Sequence, residues 1–302
     1  MRLPSLAALP AAALLVMLPG TAHGTAPVAP ERARRPVPVT QPVASSVPVT
    51  QPAPVPRPLA APLPEYRFTG AGFDACSAPP LEALSAWRTA SPYGAVNIYS
   101  SGGQRHCSQD RLTPEWVAEA RSMGWKLVPT HVGLQAPCAD RPDKPLRIDP
   151  ARAEAQGEEE AQEAAQALRT LGLGPGSPVY LDMEGYPVGD AVCSRAVVDF
   201  TAGWTTALHE AGYRSGFYSS MNSGIADLVA AVRAGRSPVP DAIWYARWDG
   251  RPTTTGQAGL PDDLWTGHQR IHQYRGSADE TYGGVTLNVD RDQLDGPVAG
   301  GY

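Results

Sequence analysis

The segment SPVYLDMEGYP, residues 177–187, ends an apolar run with two acids two places apart. Read as a strand, it puts Tyr180, Asp182 and Glu184 on one face and Val179, Leu181 and Met183 on the other. Carboxylates so spaced lie roughly 7 Å apart and repel when both are ionised. A metal, a basic partner or a reaction that shuttles protons between carboxyl groups would justify the pair.

Two further acids sit in comparable places. Asp74 closes a short run at 70–75 (GAGFDA), where Gly72, Asp74 and Cys76 share parity. Asp290 closes 284–290 (GVTLNVD), with Val285, Leu287 and Val289 on the opposite face. Further strands are expected at 95–100, 126–132, 178–184, 215–219, 242–248 and 271–275. Helices fit between the first five: PPLEALSAWRTA, then TPEWVAEARSMG with Thr113 as N-cap and Pro114 in the first turn. A third runs from Pro150 to Leu171 with Asp149 as its cap, a fourth over about 192–211 closed by Gly212, and a fifth over about 224–234. Only eight residues separate Arg275 from Gly284, too few for a crossover helix. The pattern predicts an α/β fold: an irregular TIM-type β/α barrel of eight strands, five helical crossovers and a helix-poor last third. Reactive groups of such barrels sit at the C-terminal strand ends, so the four acids would meet at one mouth.

Cys76, Cys107, Cys138 and Cys193 each follow one of the first four strands, so all four belong to loops around that mouth. An even count in an exported chain implies two disulfides, with three pairings open; pairing neighbours gives Cys76–Cys107 and Cys138–Cys193. Export is expected from residues 1–24, which carry an early Arg2, an apolar run from Leu6 to Leu18 and a small-residue exit. Residues 25–64 are crowded with Pro and repeat VPVTQP, the composition of an extended, disordered spacer. The domain proper is therefore residues 65–302. A net charge of −5 and the lack of a basic, aromatic-interleaved stretch argue against nucleic acid. No later segment is apolar enough to span a bilayer, and the product is expected to be secreted, extracellular or cell-wall associated, and monomeric.

The motifs GFDAC, YLDME, GFYSS, IWYARW and HQYRG…GGVTLNVDRDQL follow one another in this chain in an order that resembles the lysozyme-type muramidases of glycoside hydrolase family 25. The segment PTHVGLQAPC, Pro129 to Cys138, resembles still more closely the glycoside-hydrolase-like domains of exported actinobacterial proteins. The likeness spans about residues 66–296; His272 stands where the muramidases usually have Trp. It implies Glu184 as general acid with Asp74, Asp182 and Asp290 completing the catalytic set, no cofactor and no metal, and a glycan as substrate or ligand.

Glycoside hydrolysis needs a protonated carboxyl beside the leaving oxygen and a second carboxylate to attack, activate water or stabilise positive charge. Crowding among three aspartates would favour the protonated form of Glu184. Tyr99, Tyr180, Tyr218, Trp248 and Tyr274 offer ring faces to a sugar, and Gln273 reaches the mouth with them. His131 is expected to be a satisfied core residue. Two rival readings stand beside the hydrolase: a glycan-binding or envelope-associated module without turnover, and a divalent-cation-dependent hydrolase. Against the second, the sequence offers no evident set of Lys, Arg or His at the mouth.

Overall fold

A computed structural model describes residues 65–301; the expected signal segment and Pro-rich spacer lie outside the described residues. Eight strands close into a barrel in sequence order: β1 (Arg67–Asp74), β2 (Ala95–Ser101), β3 (Lys126–His131), β4 (Pro178–Asp182), β5 (Arg214–Ser220), β6 (Ala242–Ala246), β7 (Arg270–Tyr282) and β8 (Val285–Pro297). Five helices connect the first six strands: α1 (Leu81–Ala90), α2 (Pro114–Ser122), α3 (Ala153–Thr170), α4 (Ala191–Glu210) and α5 (Gly224–Arg233). The expected barrel and its five crossovers are both present.

Local chemistry sets these elements. Thr113 caps α2, its Oγ1 accepting from Trp116 N at 3.2 Å, and Pro114 opens the first turn. Asp190 caps α4 through Val192 N and Cys193 N. Asp149 does not cap α3 as expected. It accepts from Ala151 N in a preceding turn, and the helix starts at Ala153. Strands β1 to β7 run parallel, and the helices bury their apolar sides on the outer face of the barrel, through Leu84, Trp87, Val117, Leu168 and Trp204. Inside, Val128, Tyr180, Trp244, Ile271 and Leu294 fill the lower barrel. The helix-free return from β6 to β7 is held by buried Arg270, which donates to the Thr254, Pro261 and Leu264 carbonyls and to Asp262.

The largest departure from expectation is β8. It runs antiparallel to both β7 and β1, and its first residues pair with the end of β7 in a hairpin. Gly283 and Gly284, at φ 57° and 78°, form the two-residue turn, a conformation that L side chains resist. Asp290 therefore lies in mid-strand, directly opposite Asp74, rather than at a strand end. Strand β4 ends at Asp182, so Glu184 lies just beyond it, and Trp248 likewise follows the end of β6.

Of the two disulfides, Cys76–Cys107 joins the loops after β1 and β2, and Cys138–Cys193 ties the loop after β3 to the first turn of α4, so Cys193 does not lie in a loop as expected. No described helix is long and apolar enough to cross a membrane.

Candidate active site at the barrel mouth

A cleft of about 460 Å³ opens at the mouth, lined by all four predicted acids together with Tyr99, Tyr218, Trp248 and Gln273. Tyr180 and Tyr274 are not part of it. Tyr180 is completely buried below the cleft, its hydroxyl donating to Pro297 O at 3.1 Å and its ring meeting Trp244. Tyr274 lies on the side of β7 away from Gln273, its ring 6.1 Å from that of His272. His131 is a satisfied core residue, between Ser101 Oγ at 2.8 Å and Glu160 at 2.9 Å.

On one side of the cleft, β1 and β8 present Asp74 and Asp290 as direct cross-strand partners. Like charges in that relation repel. Gln273 on β7 sits between them, donating Nε2 to Asp74 Oδ2 at 2.9 Å and to Asp290 Oδ2 at 3.2 Å. Its Oε1 accepts from Tyr218 Oη at 3.1 Å and Trp248 Nε1 at 3.0 Å, so every hydrogen-bonding position of the amide is used. Burial, then Asp290, pushes the Asp74 carboxyl up to about 8. Asp290 is raised by burial and by Glu184, against the N–H of Ser277. Beneath them Asp292 is 3% exposed, accepts from Trp244 Nε1 at 2.9 Å, and is raised well above the usual carboxylate range by burial and by Asp74. Burial and the neighbouring carboxyls thus favour the protonated form on this side.

On the other side, Asp182 and Glu184 are fixed through their backbones by Gln135. Its Nε2 donates to Asp182 O and its Oε1 accepts from Glu184 N, both at 2.9 Å. Here the compensation is cationic. Lys144 Nζ bonds Glu184 Oε1 and lies 3.5 Å from Asp182 Oδ2, and Arg141 Nη2 reaches the same Glu184 oxygen at 3.2 Å. Glu184 is therefore not surrounded by carboxylates alone, as its sequence neighbours imply. Burial pushes Asp182 up to about 6, with Lys144 opposing the rise. Its Oδ1 is buried with no hydrogen-bond partner in the protein.

Four basic groups, Arg105, His106, Arg141 and Lys144, line the cleft, contrary to the expectation of none. They escape a strand-by-strand reading because they lie in loops. The signal was length: 21 residues separate the end of β3 from the start of α3, and long excursions at a barrel mouth usually carry function. Asp292 was also missed, though it shares the parity of Asp290. Among the described residues no three His, Cys, Asp or Glu side chains are placed to hold a metal ion.

Trp248 is the most exposed aromatic of the cleft, at 67%. Its ring lies against the backbone of Gly276, where an added Cβ would come within 2.3 Å of Cζ2. Together with Tyr99 and Tyr218 it supplies the ring surface of the cleft.

The family model described as "Rv2525c-like, glycoside hydrolase-like domain" matches residues 85–294. Similar solved structures include an uncharacterized B. stearothermophilus protein, 17% identical, covering 74% of this chain and 95% of that one with a TM-score of 0.49. They also include the Clostridium perfringens spore cortex lytic enzyme SleM, at 16% identity, 75% and 67% coverage and a TM-score of 0.48. A muramidase from Acremonium alcalophilum is 18% identical over 75% of this chain and 93% of its own, with a TM-score of 0.45. No curated protein matches.

Proposed function

Because the chain belongs to the Rv2525c-like, glycoside hydrolase-like domain family, we propose that it is an exported glycoside hydrolase acting on an envelope or extracellular polysaccharide. The observation that carries this reading is the meeting of four carboxyl groups, from β1, β8 and the end of β4 with the residues just beyond it, in one open cleft walled by aromatic rings. Asp182 adds a buried oxygen without a partner, which a sugar hydroxyl or amide N–H would satisfy. Glu184 is the proton donor in this reading. Asp182 and Asp290 stabilise the positive charge that develops on the sugar, while Asp74, hydrogen-bonded to Gln273, orients the floor. Trp248, Tyr99 and Tyr218 hold pyranose faces. The two disulfides suit an oxidising, extracellular setting.

A second reading is favoured by one specific contact. Lys144 and Arg141 both occupy Glu184 Oε1, which leaves Oε2 as the oxygen that could deliver a proton to a leaving group. If their grip persists with glycan bound and turns Oε2 away from the scissile bond, the cleft binds without cleaving. Incubation of the protein with peptidoglycan and chitin fragments separates the two. Cleavage should appear as new reducing ends and fall by roughly 10²–10⁴-fold in Glu184→Gln, with binding retained. Binding without any reducing ends from the parent protein would establish the second reading. Full activity in Glu184→Gln would remove Glu184 from the donor role.

A further inference from the structure

The geometry points to Lys144 as a positioning residue that fixes Asp182 and Glu184 side by side in the cleft. Its side chain is only 7% exposed, yet it lies in a loop rather than on a barrel element. A buried lysine is held there only by a rigid mount and good partners. Both are present.

The mount is the segment between β3 and α3. Gln135 N donates to Leu146 O at 3.0 Å and Ile148 N to Gln135 O at 2.9 Å, so the two limbs of the loop are zipped together just outside Lys144. Gln104 joins the same limb by donating to Leu146 O at 3.1 Å and accepting from Leu146 N at 2.6 Å. Arg147 folds back over the turn and donates to the carbonyls of Ala139, Arg141 and Lys144 itself. Cys138–Cys193 ties the loop to α4. The same Gln135 that zips the loop also holds Asp182 O and Glu184 N. Cation and carboxylates therefore share one backbone frame.

The partners are unequal. Glu184 Oε1 takes the direct bond, and Asp182 Oδ2 lies at 3.5 Å. Other charged or titratable groups face the pair from each side: Arg141 and Asp143 from the loop, Tyr218 from β5 and Asp290 from β8. Arg141 is half-exposed and shared between Asp143 and Glu184, which leaves Lys144, among the described residues, as the cation paired directly with Asp182, Arg141 adding a smaller pull from farther off. Burial opposes its charge, but Asp182 and Glu184 outweigh that and raise its pKa. The two carboxylates thereby favour its ammonium form. Removing it would leave two carboxyl groups to repel and to seek other rotamers.

The inference rests on the hydrolase reading only where turnover is measured. The test uses the exported chain with Lys144→Met, Lys144→Arg and, as a control, Arg141→Met. The Asp182 carboxyl is followed by ¹³C NMR titration, and binding of a chitin oligosaccharide by calorimetry. Lys144→Met should raise the Asp182 titration from about 6 by at least ~1 unit and weaken sugar binding by roughly tenfold. Lys144→Arg should restore both, and Arg141→Met should raise the Asp182 titration by less than Lys144→Met does. If Lys144→Met fails to fold, Lys144→Gln, which keeps the polar stem, is read in the same way. An unmoved Asp182 titration in the folded Met or Gln variant would overturn the proposal, even if binding falls. Reducing ends from glycan bear on the hydrolase reading alone, so the two can fail separately.

Discussion

The two sides of the cleft solve the same electrostatic problem by different means. At β1 and β8, Asp74 and Asp290 face each other with no cation between them, and the repulsion is relieved by protons and by one amide, Gln273. At β4, Asp182 and Glu184 keep their company through Lys144 and Arg141. Each side also carries its own disulfide: Cys76–Cys107 follows β1, and Cys138–Cys193 binds the lysine-bearing loop. The first solution stores a proton near neutral pH, and the second stores charge. A cleft with both can offer a donor and an ionic partner to one ligand, which a uniform ring of carboxylates could not.

The comparison breaks most visibly if the disulfides prove interchangeable. They close loops of 31 and 55 residues, so by the chain-entropy model removing either pair to Ser should cost about 4 kcal/mol in urea unfolding. Only Cys138→Ser/Cys193→Ser should also disturb the titration of Asp182, because only that staple holds the mount of Lys144. Equal disturbance by Cys76→Ser/Cys107→Ser would dissolve the distinction between the sides.

Next in size is Gln273→Leu. It strands Asp74 and Asp290 without their shared donor and leaves Tyr218 and Trp248 without an acceptor. A loss of about 2–3 kcal/mol is expected in the same unfolding assay. A loss below ~0.5 kcal/mol, the level of an ordinary surface change, would show that protons alone relieve the β1–β8 side.

The smallest effect sharpens the comparison through pH. Asp74 is held near 8 in the folded protein, against about 3.9 when unfolded. The folded state thus keeps a proton that the unfolded chain releases. Its stabilising contribution is full below about pH 4 and is lost as pH rises towards 8. Asp74→Asn cannot ionise, so its stability relative to the parent should climb continuously between pH 4 and pH 8, by at least ~1 kcal/mol. A constant difference across that range would mean that Asp74 is ionised at neutral pH.

Much of this was legible in the sequence. Alternating apolar runs and helical caps gave the barrel, and strand-end parity brought Asp74 and Asp182 to the mouth, whereas Asp290 reaches it from mid-strand, opposite Asp74. Ring faces were harder to place. Parity alone cannot tell depth, so Tyr180, on the same face as Asp182, belongs to the packed interior instead of the cleft. The short link before Gly284 excluded a crossover helix, yet the antiparallel run of β8 and its continuation to Pro297 were both missed, the latter because its polar residues alternate weakly. Loops were the true blind spot. Nothing in ADRPDKPLR marks Lys144 as buried, since its burial is created by Gln135, Arg147 and a disulfide partner 55 residues away.

The four bonds of Gln273 have one more consequence. Rotating its amide by half a turn would set N–H against the indole N–H of Trp248, which can donate but not accept. One orientation is therefore enforced, and through it the indole N–H of Trp248 is permanently engaged. What Trp248 offers to the outside is its π face and nothing else. A visiting molecule gains there by presenting C–H bonds and gains nothing by presenting a lone pair. The amide thereby acts as a filter, turning the most exposed ring of the mouth into a detector of ring faces.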